Sequence, residues 1–368
     1  MAYGIAASHM AGKAATDKIF GAAAAANAAK AKFGKDQVVD ATIGVLLDNN
    51  EQLVVLPTVE KVYKSLPMAE LAPYAPIAGL PDYLELVQEA AFAVNRPEAY
   101  IKAVATSGGS GAIHHAIWNY SEVGDTVLTT DWYWDPYSVL SDALLRKLDT
   151  FTLFDEQQKF NIKSFTAKVN ELLSRQNSLL VIINTPAHNP TGYSLSGGEW
   201  DQVLDVLKTA KGKKIALFVD IAYIDYAGEK NESRAFMKKF GGLPENILVI
   251  IGYSMSKGYT VYGQRTGAMI GVSASQDVIT EFVNINQYMS RATWSNINRG
   301  AQRLLTAIYK DAAVQSDLEK ERAAYYRMMA ERARLFAAEA KEVKLNMLPY
   351  IAGFFLSIPA KDPDAVCL

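Results

Sequence analysis

A lysine does covalent chemistry only when its amine can shed a proton near neutral pH, and a small-residue loop after a buried strand favours that. Lys257 stands in such a loop, Ser254-Met255-Ser256-Lys257, with Gly258, Gly263 and Gly267 nearby and Arg265 following. The ordinary alternative is a solvated loop lysine. Asp220, in Asp220-Ile221-Ala222-Tyr223, closes an apolar run. A carboxylate there must be paired or hydrogen-bonded, because burying a lone charge is costly; as a purely structural residue it would cap the next helix. Asn189, in Ala187-His188-Asn189-Pro190-Thr191-Gly192, offers an amide to a ligand oxygen, although Asn-Pro and Thr-Gly also build plain turns. Lastly, Gly108-Gly109-Ser110-Gly111 leads into Ala112-Ile113-His114-His115-Ala116. Glycines at a helix start let backbone N–H groups approach an anion, or simply make a turn. The spacing is neither GxGxxG nor a P-loop, which argues against a dinucleotide or nucleoside triphosphate.

These candidates share a position. Lys102–Thr106, Asp125–Thr130, Leu179–Asn184, Ile215–Asp220, Ile247–Tyr253 and Ala268–Val272 read as short buried strands, most of them separated by helix-length segments. Near-continuous apolar strands imply a sheet covered on both faces, hence a mainly parallel α/β domain. In such a sheet ligands collect at the carboxyl ends of the strands, where the four segments lie. From Arg299 to Lys344 the pattern becomes a long charged helical stretch, and a strand-like run, Gly353–Ile358, follows. At 368 residues two structural units are expected.

Composition narrows the function. Half the residues are apolar, 21% are charged, and the formal net charge is -2. No basic excess points to nucleic acid, and no lysine-rich run points to a membrane surface. The single cysteine, Cys367, allows no disulfide within the chain, which fits a reducing, cytoplasmic location. The alanine-rich stretch Phe20–Ala29 is preceded by Lys13, Asp17 and Lys18 and interrupted by Asn27, so it reads as a helical arm rather than a signal peptide. No apolar run approaches membrane-spanning length. His9, His114, His115 and His188 show no metal-ligand spacing, and no metal is expected.

Taken together, Ala187–Gly192, Asp220-Ile221-Ala222-Tyr223 and Ser254-Met255-Ser256-Lys257 with Arg265 resemble, in order and spacing, the motifs of class I/II aminotransferases, the aspartate and aromatic aminotransferase group. The similarity runs from about Asp40 to Ile358. It implies the α/β fold of type I pyridoxal-phosphate enzymes: a large domain, residues 57–315, with a mainly parallel sheet covered by helices, and a smaller α+β domain from both chain ends. Residues 1–56 would supply an arm and part of that small domain, and 316–368 the rest, incomplete at its C-terminal end. It also implies pyridoxal 5'-phosphate, held by Lys257 as a Schiff base, with the released amine then moving the proton between substrate and cofactor. Asp220 would pair with the ring nitrogen. Tyr223 and Asn189 would bond the ring's phenolic oxygen, and Ser254, Arg265, Ser110 and the Gly109 N–H would hold the phosphate. Trp132, two residues from Trp134, would stack on the ring; either tryptophan could instead be core.

Other segments resemble parts that reach between subunits. Tyr74-Ala75-Pro76-Ile77-Ala78-Gly79-Leu80 is similar to the segment whose tyrosine meets the partner's phosphate, implying a homodimer with shared sites. Arg291-Ala292-Thr293-Trp294-Ser295-Asn296 is similar to the segment whose arginine takes a substrate's distal carboxylate, and Ile43-Gly44 to the loop that closes over substrate. The family's arginine for the α-carboxylate does not appear before Leu368. The activity implied is ping-pong transfer of an amino group from an L-amino acid, aspartate or aromatic, to a 2-oxo acid, with 2-oxoglutarate the expected acceptor. β-Elimination or decarboxylation on the same scaffold is the nearest rival, since the cofactor does the hard chemistry. A ligand-sensing module of a transcription regulator is the remote one; the region before Asp40 lacks a basic recognition helix.

Overall fold

The β-branched and apolar runs pair into one seven-stranded sheet in the computed structural model, which describes residues 4–14, 18–40, 42 and 44–362. The strands are β1 (Tyr100–Thr106), β2 (Thr126–Thr130), β3 (Lys147–Phe151), β4 (Ser178–Asn184), β5 (Lys214–Asp220), β6 (Ile247–Ser254) and β7 (Gly267–Ser273). Their order is β1-β7-β6-β5-β4-β2-β3. Strands β2 to β6 run parallel, and β7 runs antiparallel to both its neighbours. Every residue of β2, β6 and β7 is buried, as the unbroken apolar runs require of strands covered on both faces.

All six expected strands are present, with ends shifted by a residue or two. The seventh, β3, lies at the sheet's edge beside β2. There Lys147 is exposed and Leu148, Asp149 and Thr150 are half-buried, so the strand lacks an apolar run to betray it.

Helices cover the sheet. Gly108–Asn119 packs against β6 and β7, and Gln276–Thr293 against β1 and β7. Val104, Ile113, Ile182, Phe218, Ile250 and Phe282 interlock in this core. Gly252 is required in it, because a side-chain carbon there would collide with the Phe218 ring.

The charged stretch after Arg299 forms two helices, Arg299–Tyr309 and Ala312–Glu342. Asp311 breaks it by capping the second helix, accepting from the N–H groups of Ala313 and Val314 at 2.9 and 3.2 Å. The run Gly353–Ile358 is not a strand, which corrects the sequence reading. Its bonds are isolated contacts with irregular segments rather than a ladder: the Ser357 carbonyl accepts from the Leu348 N–H at 2.9 Å, and Ser357 Oγ donates to the Pro190 carbonyl at 2.7 Å.

The chain divides into two compact units between Leu46 and Leu47. The first contains the expected alanine-rich helix, Lys18–Phe33, and an ion pair between Lys30 and Asp40 at 3.0 Å. The sheet and all the helices covering it belong to the second. No helix among the described residues is long and apolar enough to cross a membrane.

Candidate active site

Parallel pairing puts the ends of β4, β5 and β6 side by side: Asn184 is in register with Asp220, and Asp220 with Gly252. The four segments singled out from the sequence meet there. Gly109, Ser110, Asn189, Asp220 and Tyr223 line one cavity, and Ser254, Lys257 and Arg265 complete the same wall.

Lys257 sits in a single helical turn, Met255–Gly258, directly after β6. Ser254 caps that turn, its Oγ accepting from the Ser256 N–H at 3.2 Å. The rings of Tyr262, Tyr223 and Phe354 surround the lysine amine at 4.9, 5.5 and 5.9 Å. Burial, joined by the nearby Arg265 cation and opposed by Asp220, lowers the Lys257 amine to about 8. An amine at that level is unprotonated often enough near neutral pH to attack a carbonyl carbon.

Asp220 is buried, and both its oxygens are engaged. Tyr137 Oη donates to Oδ2 at 2.7 Å and the Ala222 N–H to Oδ1 at 3.1 Å. Burial raises its pKa above the ordinary carboxylate value, against the pull of Tyr137, the Ala222 N–H and Lys257. The Asp220 carbonyl accepts from Asn184 Nδ2 at 2.9 Å, and Asn184 Oδ1 accepts from the Asn189 N–H at 2.6 Å. One asparagine thus holds β5 and the loop carrying Asn189 together. The Asn189 amide then donates to Tyr223 Oη at 3.1 Å. Burial and the charge of Asp220 push the Tyr223 phenol above its usual range, so it stays a donor.

Opposite these groups lies an anion cradle. The helix Gly108–Asn119 begins at the cavity, and its N-cap Ser107 makes no side-chain cap. Arg265 faces that end: its guanidinium reaches Ser110 Oγ and Ser256 Oγ, each at 3.4 Å. A side-chain carbon at Gly108 would stand 3.0 Å from Arg265 Nη2, and Gly108 has φ +64°, so glycine is needed there. Free helix N–H groups and a guanidinium fork suit a phosphate dianion.

Some expected residues stand elsewhere. Trp134, not Trp132, lines the cavity. The loop after β2 ties Trp132 down at its backbone, where its N–H donates to Asp131 Oδ1 at 3.0 Å and its carbonyl accepts from Thr130 Oγ1. Trp134 instead packs edge-on against Tyr137. Tyr74 is 88% exposed, and Arg291 is exposed with Nη1 3.3 Å from Ser295 Oγ; neither lines the cavity. Gly44 belongs to the first unit, and Ile43 lies outside the described residues, as does Cys367.

Asn184, Tyr137 and Tyr262 are site residues the motifs did not name. Asn184 ends its strand and could have been found by the rule that located Asp220. Tyr137 is one of 19 tyrosines and carries no local signature.

Fold and site together define a class: an α/β protein presenting a low-pKa lysine, a buried carboxylate and an anion cradle in one cavity at the carboxyl edge of its sheet. The chain belongs to the class I and II aminotransferases, whose family model matches residues 36–364. It is similar to a crystal structure of an aminotransferase from Anaerococcus prevotii, at 38% identity and a TM-score of 0.95 over 97% of this chain and 88% of that one. It is 26% identical to the cytoplasmic aspartate aminotransferase of Dictyostelium discoideum over 77% of this chain, spanning 64% of that relative's length. An aromatic-amino-acid aminotransferase from Burkholderia pseudomallei, solved covalently bound to pyridoxal phosphate, shares the fold at 21% identity and a TM-score of 0.73, over 88% of this chain and 80% of that one.

The family's cofactor is pyridoxal 5'-phosphate, and the cavity fits it. An aldehyde needs an available amine, a phosphate needs a cationic cradle, and a protonated ring nitrogen needs an anion. Lys257, Arg265 with the helix start, and Asp220 supply these in turn.

Proposed function

We propose that the protein is an aminotransferase moving an amino group between an L-amino acid, aspartate or aromatic, and a 2-oxo acid, with 2-oxoglutarate as acceptor. The observation that carries this reading is that the Lys257 amine, at about 8, opens into the same cavity as Asp220 and the Arg265 cradle.

The bound cofactor supplies an electron sink for the carbanion formed at the substrate's Cα. Lys257 Nζ would hold the cofactor through its aldehyde carbon and, once the substrate's amine had displaced it, would move the proton between the substrate's Cα and that same carbon. Asp220 keeps a proton on the ring nitrogen. Tyr223 and Asn189 donate hydrogen bonds to the ring's phenolic oxygen. Ser254, Ser110, the Gly109 N–H and Arg265 hold the phosphate, and Trp134 supplies an aromatic face.

In the same reading the working form is a homodimer. Tyr74 and Arg291 are exposed in one chain and serve the partner's cavity, Tyr74 at the phosphate and Arg291 at a distal carboxylate. A guanidinium offers two parallel donors to a carboxylate, which is the reason to expect a dicarboxylic substrate. Gly44 belongs to the loop that closes over substrate. Residues 57–315 form the large domain, with 1–56 and 316–368 contributing to the small one. A cytoplasmic location is supported by the single cysteine.

The test is spectral. Adding L-glutamate to the cofactor-loaded protein is expected to abolish the bound cofactor's visible absorbance, and 2-oxoglutarate to restore it. Release of pyruvate and ammonia from an amino acid, with no such interconversion, would favour the lyase instead.

A further inference from the structure

Asp220 poses a physical problem that its own strand does not solve. A carboxylate this deeply buried is driven toward its neutral form, yet only the anion can hold a proton on a ring nitrogen. Its backbone neighbour supplies one donor, the Ala222 N–H on Oδ1. The other comes from far along the chain: Tyr137 Oη, 2.7 Å from Oδ2.

Tyr137 is built to stay where it is. It lies in the helix Pro136–Ala143, which follows β2, and is 1% exposed. Trp134, which lines the cavity, packs edge-on against its ring at 5.7 Å between centroids, and Tyr133 stacks on it at 6.5 Å. Burial and the adjacent Asp220 charge push its phenol well above the usual range, so the hydroxyl remains a neutral donor across the working pH range. A neutral donor stabilises the anion without placing a competing cation beside the ring nitrogen's site.

We propose that Tyr137 is a positioning residue for the cofactor's ring nitrogen: its hydroxyl fixes the orientation of Asp220 and keeps that carboxylate ionised inside the cavity. This rests on the pyridoxal-phosphate reading of Lys257 and Asp220 given above. It adds that the helix after β2 reaches the cofactor through Asp220, beside the preceding loop that brings Trp134 to the cavity.

The experiment compares cofactor affinity in apoprotein of the wild type and of Tyr137→Phe, which removes one oxygen and keeps the ring. Both are titrated with pyridoxal 5'-phosphate and with its 1-deaza analogue, in which carbon replaces the ring nitrogen. A lost hydrogen bond to a charged group predicts binding of the natural cofactor weaker by about ten-fold or more in Tyr137→Phe. The deaza analogue should bind both proteins alike, because it has no ring nitrogen for Asp220 to hold. In an Asp220→Asn background, adding Tyr137→Phe should cost nothing further, a comparison that also cancels any general loss of stability. Equal affinity of the two proteins for the natural cofactor overturns the proposal, as does an equal loss with both ligands. Borohydride reduction of each protein separates the two levels of inference. An adduct on Lys257 with unchanged affinity refutes only the role of Tyr137, whereas no adduct on Lys257 in the wild type refutes the functional reading itself.

Discussion

The Asn189 side-chain amide donates to the Tyr223 hydroxyl at 3.1 Å, tying the loop after β4 to the turn after β5. Neither residue is near the other in sequence, and Asn184 fixes the approach by bonding both the Asp220 carbonyl and the Asn189 N–H. If the pair serves an anionic ring oxygen, removing either donor destabilises that anion. The proton shared between the ring oxygen and the lysine nitrogen is then held more tightly.

Tyr223→Phe and Asn189→Ala are accordingly expected to raise the pH midpoint of the bound cofactor's absorbance change by about one unit each, the scale of one hydrogen bond. Titration of absorbance against pH in the loaded protein checks this. A midpoint that stays put or moves down in Tyr223→Phe argues against the assignment.

The lysine itself makes a prediction in the apoprotein. With its amine lowered to about 8, Lys257 should react with a small aldehyde along a pH curve centred near that value, where an ordinary lysine would be centred at about 10.4. Burial is the larger cause and Arg265 the next, so Arg265→Met should move the midpoint upward by the smaller share of the shift. The sign carries over to stability. Between the folded and unfolded values the unfolded chain holds more protons, so this group's contribution favours the folded apoprotein increasingly as pH rises from about 8 toward 10.

Arg291 tests the substrate assignment. Arg291→Ala is expected to lower kcat/KM for aspartate and glutamate by roughly ten-fold or more, the factor for losing a charge-assisted hydrogen bond, with aromatic amino acids little affected. Steady-state kinetics with both classes decides it. An equal loss for the two would sink the specificity role. The residue is exposed at the end of its helix, so the change should leave the fold intact.

How much of this was legible in the sequence follows from where each signal resides. Lys257, Asp220 and Asn189 announce themselves because they end an apolar strand or follow one within a few residues, and a parallel sheet forces strand ends together. Buried strands are legible for the same reason. The edge strand β3 is not, since its half-exposed residues need no apolar run. Tyr137 is hidden because tertiary packing alone brings it to Asp220, whereas Tyr262 follows Lys257 closely in sequence but carries no motif of its own. The choice between Trp132 and Trp134 turns on how one loop anchors its backbone, which spacing cannot reveal. Gly353–Ile358 has a strand's composition, but it meets only irregular segments, through single bonds at Leu348 and Pro190.

The central claim is a covalent bond at one nitrogen. The most direct test is to load the purified protein with pyridoxal 5'-phosphate, reduce it with borohydride, digest it and map the modified peptide. The account predicts a single stoichiometric adduct on Lys257, absent from Lys257→Ala. An adduct on any other lysine, or none, would contradict it.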